Sequence, residues 1–311
     1  MGVQRYNLFL CKQIYYLIFM GHKAGFVNII GNPNVGKSTL MNGLVGEKLS
    51  IITPKAQTTR HRILGIVNDE NFQIVFSDTP GIVKPHYKLH ESMMSEVKTA
   101  MIDADILLYV VEFGEKELNE IVAKSITESE IPIILVINKI DKGLQKDVAE
   151  TIEYWKNLIP RAEIVPASAL HKFNVDFVLK RIIELLPEHP AFYPKDELTD
   201  KSERFFVSEM IREKILQYYK KEIPYSVEVI VDSFKEEEKI VRISAFIYVA
   251  RESQRIILIG KGGNAIKWVG TKARIDMEEF LQKKVFLELS VKVDKDWRNN
   301  ENSLKKFGYQ F

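Results

Sequence analysis

The chain has 311 residues, of which 46% are hydrophobic and 28% charged, with a formal net charge of +2. That is room for about two soluble domains with real cores, and it argues against a fibrous or intrinsically disordered chain. Near-neutrality singles out no partner, but from Arg204 onward 21 Lys/Arg face 16 Asp/Glu. That excess suits nucleic acid, anionic lipid or simply a solvated surface. The single cysteine, Cys11, rules out an internal disulfide and fits a reducing compartment.

The first twenty residues, MGVQRYNLFLCKQIYYLIFM, carry apolar patches split by Lys12 and Gln13. The run Ile14–Met20 is far short of the ~20 residues of a membrane span. No small-residue cleavage site follows, and Tyr6 stands where a myristoylation motif has Ser or Thr. Met20 followed by GHKAGFVNIIG reads as a natural start, so residues 1–19 are taken as a non-native or disordered extension. An interfacial anchor is the alternative.

Phe26–Ile30 reads as a strand running into a glycine loop, followed by helical character over Lys37–Leu44. Arg62–Val67 and Phe72–Ser77 read as two strands joined by the turn NDEN, an antiparallel edge. Asp105–Val111, Ile131–Ile137 and Ile164–Pro166 are further strands. Helical stretches fall at Glu91–Ile102, Lys116–Glu128, Asp147–Leu158 and Val175–Leu186. This alternation predicts an α/β domain over residues 20–186, with a mostly parallel sheet covered on both faces. Three prolines and scattered charge mark Pro187–Lys201 as a linker. Beyond it, Ser202–Tyr219 reads as a helix, Val227–Phe234 and Ile240–Ala250 as strands around KEEEK, and Ile256–Ile259 as a short apolar run before GKGG. Asn264–Gln282 is an amphipathic helix and Val285–Val293 a last strand. Residues 202–311 thus form an α+β unit with a C-terminal tail.

GNPNVGKS at Gly31–Ser38 matches G-x-x-x-x-G-K-[ST] between a strand and a helix. Backbone N–H groups of Gly31, Asn32, Pro33-flanked Asn34, Val35, Gly36 and Thr39 would surround phosphate oxygens at a helix N-terminus. Lys37 supplies the charge for the β- and γ-phosphates and Ser38 a ligand for Mg²⁺. Asp78-Thr79-Pro80-Gly81 follows a strand, so Asp78 can hold Mg²⁺ through water and the Gly81 N–H can meet the γ-phosphate. Asn138-Lys139-Ile140-Asp141 ends another strand. Asp141 can accept the two hydrogen bonds that guanine offers and adenine does not, selecting GTP. Asn138 would tie loops together, and the Lys139 stem would cover the base. In Pro166-Ala-Ser168-Ala169 the Ala169 N–H could meet guanine O6. In QTTRH, Thr59 is preferred over Thr58 as the threonine that closes over Mg²⁺ and the γ-phosphate. The metal set is therefore Ser38, Thr59 and Asp78, with Lys37, Thr59 and Gly81 the catalytic set. Ile82 occupies the position where Ras-like GTPases carry a water-orienting Gln, so unaided hydrolysis should be slow. His86 and His90 read as exposed loop histidines.

The second glycine loop, Ile259-Gly260-Lys261-Gly262-Gly263, has no hydroxyl after its lysine. Its spacing is the G-x-x-G of a KH module, whose glycines admit a sugar–phosphate backbone. Lys267 and Arg274 are basic contacts on the following helix. The order helix–strand–strand–helix–loop–helix–strand is the type II arrangement. Trp268 and Trp297 read as packing residues.

GNPNVGKS, QTTRH, DTPGI, NKID, PKDELTDKSERF and IGKGG together resemble the bacterial Era family of GTPases over nearly the whole chain from about His22. The resemblance implies a P-loop GTPase domain joined to a type II KH domain, binding GTP/GDP and Mg²⁺. It implies a monomeric cytoplasmic ribosome-assembly factor that holds the 3′ end of 16S rRNA in the 30S subunit when GTP is bound, with peripheral membrane association. The hydrophobic Ile82 agrees with that family. Related GTPases with an Asn at the position of Asn34 are activated by K⁺. The alternatives are a signalling or membrane-associated GTPase whose C-terminal domain binds protein or lipid, and a metabolic NTPase in which the second glycine turn has no function.

Overall fold

A computed structural model describes residues 21–310; the expectation for residues 1–19 falls outside that range, as does Cys11. Two sheets organise the chain. The first contains β1 (Lys23–Ile30), β2 (Ile63–Asn68), β3 (Phe72–Asp78), β4 (Ile106–Glu112), β5 (Ile133–Asn138) and β6 (Glu163–Pro166) in the order β2-β3-β1-β4-β5-β6. Only β2 runs antiparallel, against β3. Helices α1 (Lys37–Val45), α2 (Lys88–Ile102), α3 (Glu120–Glu128), α4 (Gln145–Leu158) and α5 (Val175–Leu185) alternate with the strands. In β4, Ile106, Leu108 and Val110 enter one apolar cluster, while Leu107, Tyr109 and Val111 enter another. A strand buried on both faces needs such an uninterrupted apolar run.

The parallel strands bring their carboxyl ends to one edge. The chain leaves β1 toward β3 on one side and β4 on the other, so that edge contains a topological switch point. The loops after β1, β3, β5 and β6 all emerge there.

The segment expected as a linker is fixed in place. The outward Ile66 N–H of edge strand β2 donates to the Leu198 carbonyl at 2.8 Å, and the Leu64 N–H to Asp200 Oδ1 at 3.0 Å. The Gln73 side chain accepts from the Phe192 and Tyr193 N–H groups at 2.6 and 3.0 Å. A bare sheet edge invites mispairing; here residues 197–200 occupy it.

The second unit contains α6 (Glu203–Tyr218), the single turn α7 (Ile223–Ser226), β7 (Val227–Glu236), β8 (Ile240–Val249), α8 (Glu252–Ile259), α9 (Asn264–Leu281) and β9 (Lys284–Val293). The sheet order is β7-β8-β9, antiparallel then parallel. Its inner face, with Val229, Ile243, Ile247 and Val285, packs on Ile211 and Ile215 of α6 and on Val269, Ala273 and Met277 of α9. The apolar run Ile256–Ile259 belongs to α8, which starts at Glu252. Past β9 the tail returns through α10 (Glu301–Lys306) to the first domain. Trp297, Leu304, Phe307 and Tyr309 join the cluster that holds Ile82, Leu89 and Met93. Among the described residues no helix is long and apolar enough to cross a membrane.

Candidate nucleotide site and nucleic-acid interface

The loop after β1 turns into α1 at Gly36, whose φ is 100°. A Cβ there would stand 2.3 Å from Asn138 Nδ2, so a side chain would drive the two loops apart. Asn138 is buried and ties three loops. Its Nδ2 donates to the Val35 carbonyl at 2.8 Å, and its Oδ1 accepts from the Ala169 N–H at 2.9 Å. The Ala169 N–H suggested for guanine O6 is therefore already satisfied within the protein. Lys37 Nζ donates to the carbonyls of Gly31 and Asn32, both at 3.0 Å. Burial lowers its pKa to about 8, against the pull of Asp78 and Glu115.

Three oxygens converge beside it. Ser38 Oγ donates to Asp78 Oδ2 at 2.7 Å, Thr59 Oγ1 to the same oxygen at 3.2 Å, and the two hydroxyls lie 2.9 Å apart. Asp78 Oδ1 is buried without a hydrogen-bond partner, and burial raises the carboxyl pKa. A hard-oxygen set with one orphaned carboxylate oxygen suits Mg²⁺, which prefers oxygen ligands. The Thr58 hydroxyl is engaged within its own loop instead. It donates to the Lys55 carbonyl at 2.6 Å and pairs with Thr53 at 2.7 Å.

Thr79 Oγ1 donates to the Ile29 carbonyl at 2.7 Å, holding the turn after β3 against β1. Gly81 lies against Pro33 of the first loop. Ile82 is buried in the apolar cluster with Leu89 and Met93, and its N–H donates to the Gly31 carbonyl at 3.2 Å. One histidine expectation is corrected. His86 is exposed in the loop, but α2 begins at Lys88, so His90 lies in its first turn and is buried against Tyr87 with ring centroids 3.8 Å apart. Desolvation lowers its pKa to about 4.

These loops surround a cavity of about 560 Å³. It is also lined by Lys139, Asp141 and Lys142. Ser168 Oγ donates to Asp141 Oδ1 at 2.5 Å, and that bond is the main reason the carboxyl pKa is lowered. Lys139 is at φ 64° and donates to the Asn34 carbonyl and to Glu112, and Ile140 opens a short turn behind it. Asn34 is exposed at the tip of the first loop, while Asn32 is tied to Glu115 at 2.5 Å. The cavity also takes in Ile51, Lys55 and Leu170, which motif reading missed. Leu170 directly follows PASA and is 74% exposed, an apolar surface suited to the face of a base.

The second glycine loop caps α8. Gly260 has φ 73°, and a Cβ there would stand 2.6 Å from that of Ala265. Lys261 and Gly262 are exposed at the tip, with Gly263 half-buried and Ile259 half-buried at the helix end. Lys267 and Arg274 border a groove of about 270 Å³ between α9 and β9, joined there by Ile266, Gly270, Thr271, Leu287 and Leu289. The β9 leucines were not singled out in the sequence; only parallel pairing with β8 brings that strand beside α9. Trp297 is buried and donates to the Ser226 carbonyl at 3.1 Å, and Trp268 stacks on Tyr218 at 4.6 Å. Both pack.

Residues 26–139 match the 50S ribosome-binding GTPase family, and residues 222–298 match the KH domain family. The chain is 47% identical to GTPase Era of Syntrophus aciditrophicus, over 92% of this chain and 95% of that protein. It is 44% identical to the chloroplastic GTPase ERA-like protein of Oryza sativa subsp. japonica, over 93% of this chain and 70% of that one. Among solved structures it resembles Era in complex with MgGDPNP and nucleotides 1506–1542 of 16S ribosomal RNA, with a TM-score of 0.90 at 40% identity, covering 93% of this chain and all (100%) of that one. It also resembles a variant of Aquifex aeolicus Era bound to GDP·AlF4⁻, with a TM-score of 0.89 at 40% identity and the same coverage.

Proposed function

The chain belongs to the Era family of GTPases, and from that premise we propose that it binds and hydrolyses GTP and, through its KH domain, holds the 3′ end of 16S rRNA during assembly of the 30S subunit. The observation that carries this is the presence in one chain of a P-loop cavity lined by Lys37 and Asp141 and, on the helix that follows the G-x-x-G turn, a groove bordered by Lys267 and Arg274. The proposed domains are 20–186, 187–201 as connector and 202–311.

In the nucleotide cavity, Asp141 selects guanine, Asn138 holds the base loop to the phosphate loop, and Lys139 and Leu170 cover the base. Lys37 and the N–H groups of the loop Gly31–Thr39, Pro33 having none, bind the phosphates, and the Gly81 N–H meets the γ-phosphate. Ser38, Thr59 and Asp78 would hold Mg²⁺, which when bound offsets the charge of the phosphates. Lys37 stabilises the negative charge that grows on the leaving β-phosphate oxygens. Thr59 and Gly81 orient the γ-phosphate for attack by water. With the buried Ile82 in the Gln position, water is oriented by backbone groups or a partner, so the intrinsic rate is slow. Asn34 is the candidate K⁺ contact, a role abandoned if hydrolysis is equally fast in Na⁺ and K⁺. The same reading makes the protein monomeric and cytoplasmic, with peripheral association at the inner face of the membrane.

Crosslinking the GTP-loaded protein to RNA in cells and sequencing the bound fragments tests the central claim. Enrichment of the 16S 3′ end is expected. Recovery of no RNA above a GDP-loaded control would favour a GTPase whose C-terminal domain binds protein or lipid.

A further inference from the structure

Residues 197–200 bond to β2, and other contacts join the nucleotide loop to the second domain. Beside the Arg60 contacts with β7, a second set falls on α6. Lys55 borders the nucleotide cavity together with Gln57, Thr58 and Thr59. Arg212 of α6 donates to the carbonyls of Gln57 and Thr58. Glu213, also buried, accepts from Lys48 at 3.1 Å and from the Ile52 N–H at 3.4 Å. The Lys55 ammonium donates to the carbonyls of Leu216 and Tyr219, at the C-terminal end of α6. Unpaired carbonyls and the helix dipole make such an end a natural seat for a cation.

The chain of contacts continues from there. Tyr219 is 6% exposed, and its hydroxyl donates to the carbonyl of Leu258, in the last turn of α8 and two residues before Gly260. Lys55 therefore touches the backbone of the residue whose side chain holds the helix leading into the G-x-x-G turn.

We propose that Lys55 and Tyr219 are positioning residues that couple the two sites: Lys55 ties the nucleotide loop to the end of α6, and Tyr219 carries that tie to the last turn of α8, which sets the Gly260 turn. The proposal rests on the GTP-and-RNA function given above and names how one site regulates the other. The element with two arrangements is the Lys55 cap. When Thr59 is drawn to Ser38 and Asp78, the loop holds Lys55 on the helix end. When the loop opens, Lys55 leaves, the α6 carbonyls lose their cation, and the Tyr219–Leu258 bond loses its fixed base. RNA then binds more tightly to the closed state, and by linkage RNA tightens binding of the GTP analogue by the same factor.

The test uses the full chain, with Tyr219→Phe and Lys55→Met made separately. RNA of nucleotides 1506–1542 of 16S rRNA, the segment in the related complex, is titrated by fluorescence anisotropy in GDP and in MgGDPNP. Wild type is expected to show an affinity ratio between the two states of about fivefold or more. Each variant is expected to bring that ratio down by about threefold or more. Tyr219→Phe, which removes a single hydroxyl remote from the cavity, should leave GDPNP affinity without RNA unchanged. A ratio kept at the wild-type value in either variant overturns the relay, and so does an equal loss of RNA affinity in both nucleotide states, which would mark a merely structural role. Failure of the function beneath it is visible first in wild type, as absent RNA binding or no dependence on nucleotide.

Discussion

Arg60 and Glu228 form an ion pair at 2.9 Å across the two domains, with both side chains almost wholly removed from solvent. Arg60 also donates to the Val227 carbonyl at 2.7 Å, and the Tyr309 hydroxyl donates to the same Glu228 oxygen at 2.7 Å. Arg60 directly follows Thr59, so the chain next to the converging oxygens of Ser38, Thr59 and Asp78 is anchored in the second domain. The next residue, His61, stacks on Tyr309 with ring centroids 4.4 Å apart.

Removing one member of a buried pair leaves an uncompensated charge. Arg60→Met should lower the unfolding free energy by about 3 kcal/mol, read as an earlier urea midpoint of the full chain. Adding Glu228→Gln should recover part of that loss. A single variant as stable as wild type would mean that water reaches Glu228.

Lys37 has a pKa lowered to about 8 by burial. The phosphates of a bound nucleotide stabilise its charged form and raise that value, so binding is coupled to proton uptake. The sign follows: the full contribution is present below pH 8 and is lost as pH rises through the pKa of the bound state. Affinity for GTP should fall by up to about tenfold per pH unit above 8. Calorimetry in buffers of different ionisation enthalpy should find almost no proton uptake at pH 6.5 and close to one proton at pH 9. Uptake that does not change between these values would remove Lys37 as its source.

Asp141 is held by Ser168 and lies where a base would end in the cavity. Asp141→Asn replaces one acceptor oxygen with a donor, which faces the guanine donors badly and suits xanthine. GTP affinity should drop by about 100-fold or more, with xanthosine triphosphate binding in its place. Competition binding with both nucleotides decides it, and unchanged GTP preference would move guanine recognition to another group.

At the second glycine loop, Lys261 and Gly262 are exposed and a Cβ at Gly262 meets open space, though its φ is 60°. Replacing both with Asp puts two negative charges against a phosphate backbone. RNA affinity should fall beyond detection while GTP affinity stays the same. Gly260→Ala should act differently: its Cβ would collide with Ala265, so it should lower the melting temperature as well as RNA affinity. Retained RNA binding in the double Asp variant would exclude this loop as the clamp.

The nucleotide site was legible because its motifs follow strands, and parallel strands place their carboxyl ends on one edge. Sequence order alone therefore puts Lys37, Thr79 and Asp141 around one cavity. It preferred Thr59 over Thr58 without a geometric reason, and the hydroxyl contacts with Ser38 and Asp78 supply one. His90 was misread because α2 begins at Lys88, turning an expected loop residue into a buried first-turn one.

Strand and helix order in both domains, the motif residues that line the cavity, and the second glycine turn were all readable along the chain. Each depends on local chemistry: periodic burial, backbone freedom, or a side chain at a strand end. The tertiary structure decided what lies between the domains. Glu209, Arg212, Glu213 and Lys214 of α6 are charged residues that a helical pattern assigns to solvent, yet all four are buried. Their partners lie in the nucleotide loop, within α6 and on Asp276 of α9. The tail through Tyr309, and the strap over β2, are fixed in the same way. No spacing within α6 encodes the bonds of Arg212 to the Gln57 and Thr58 carbonyls or of Glu213 to Lys48, all more than a hundred residues away; packing the second domain against the first makes burying those two charges stable, because each is met there by a carbonyl or an opposite charge.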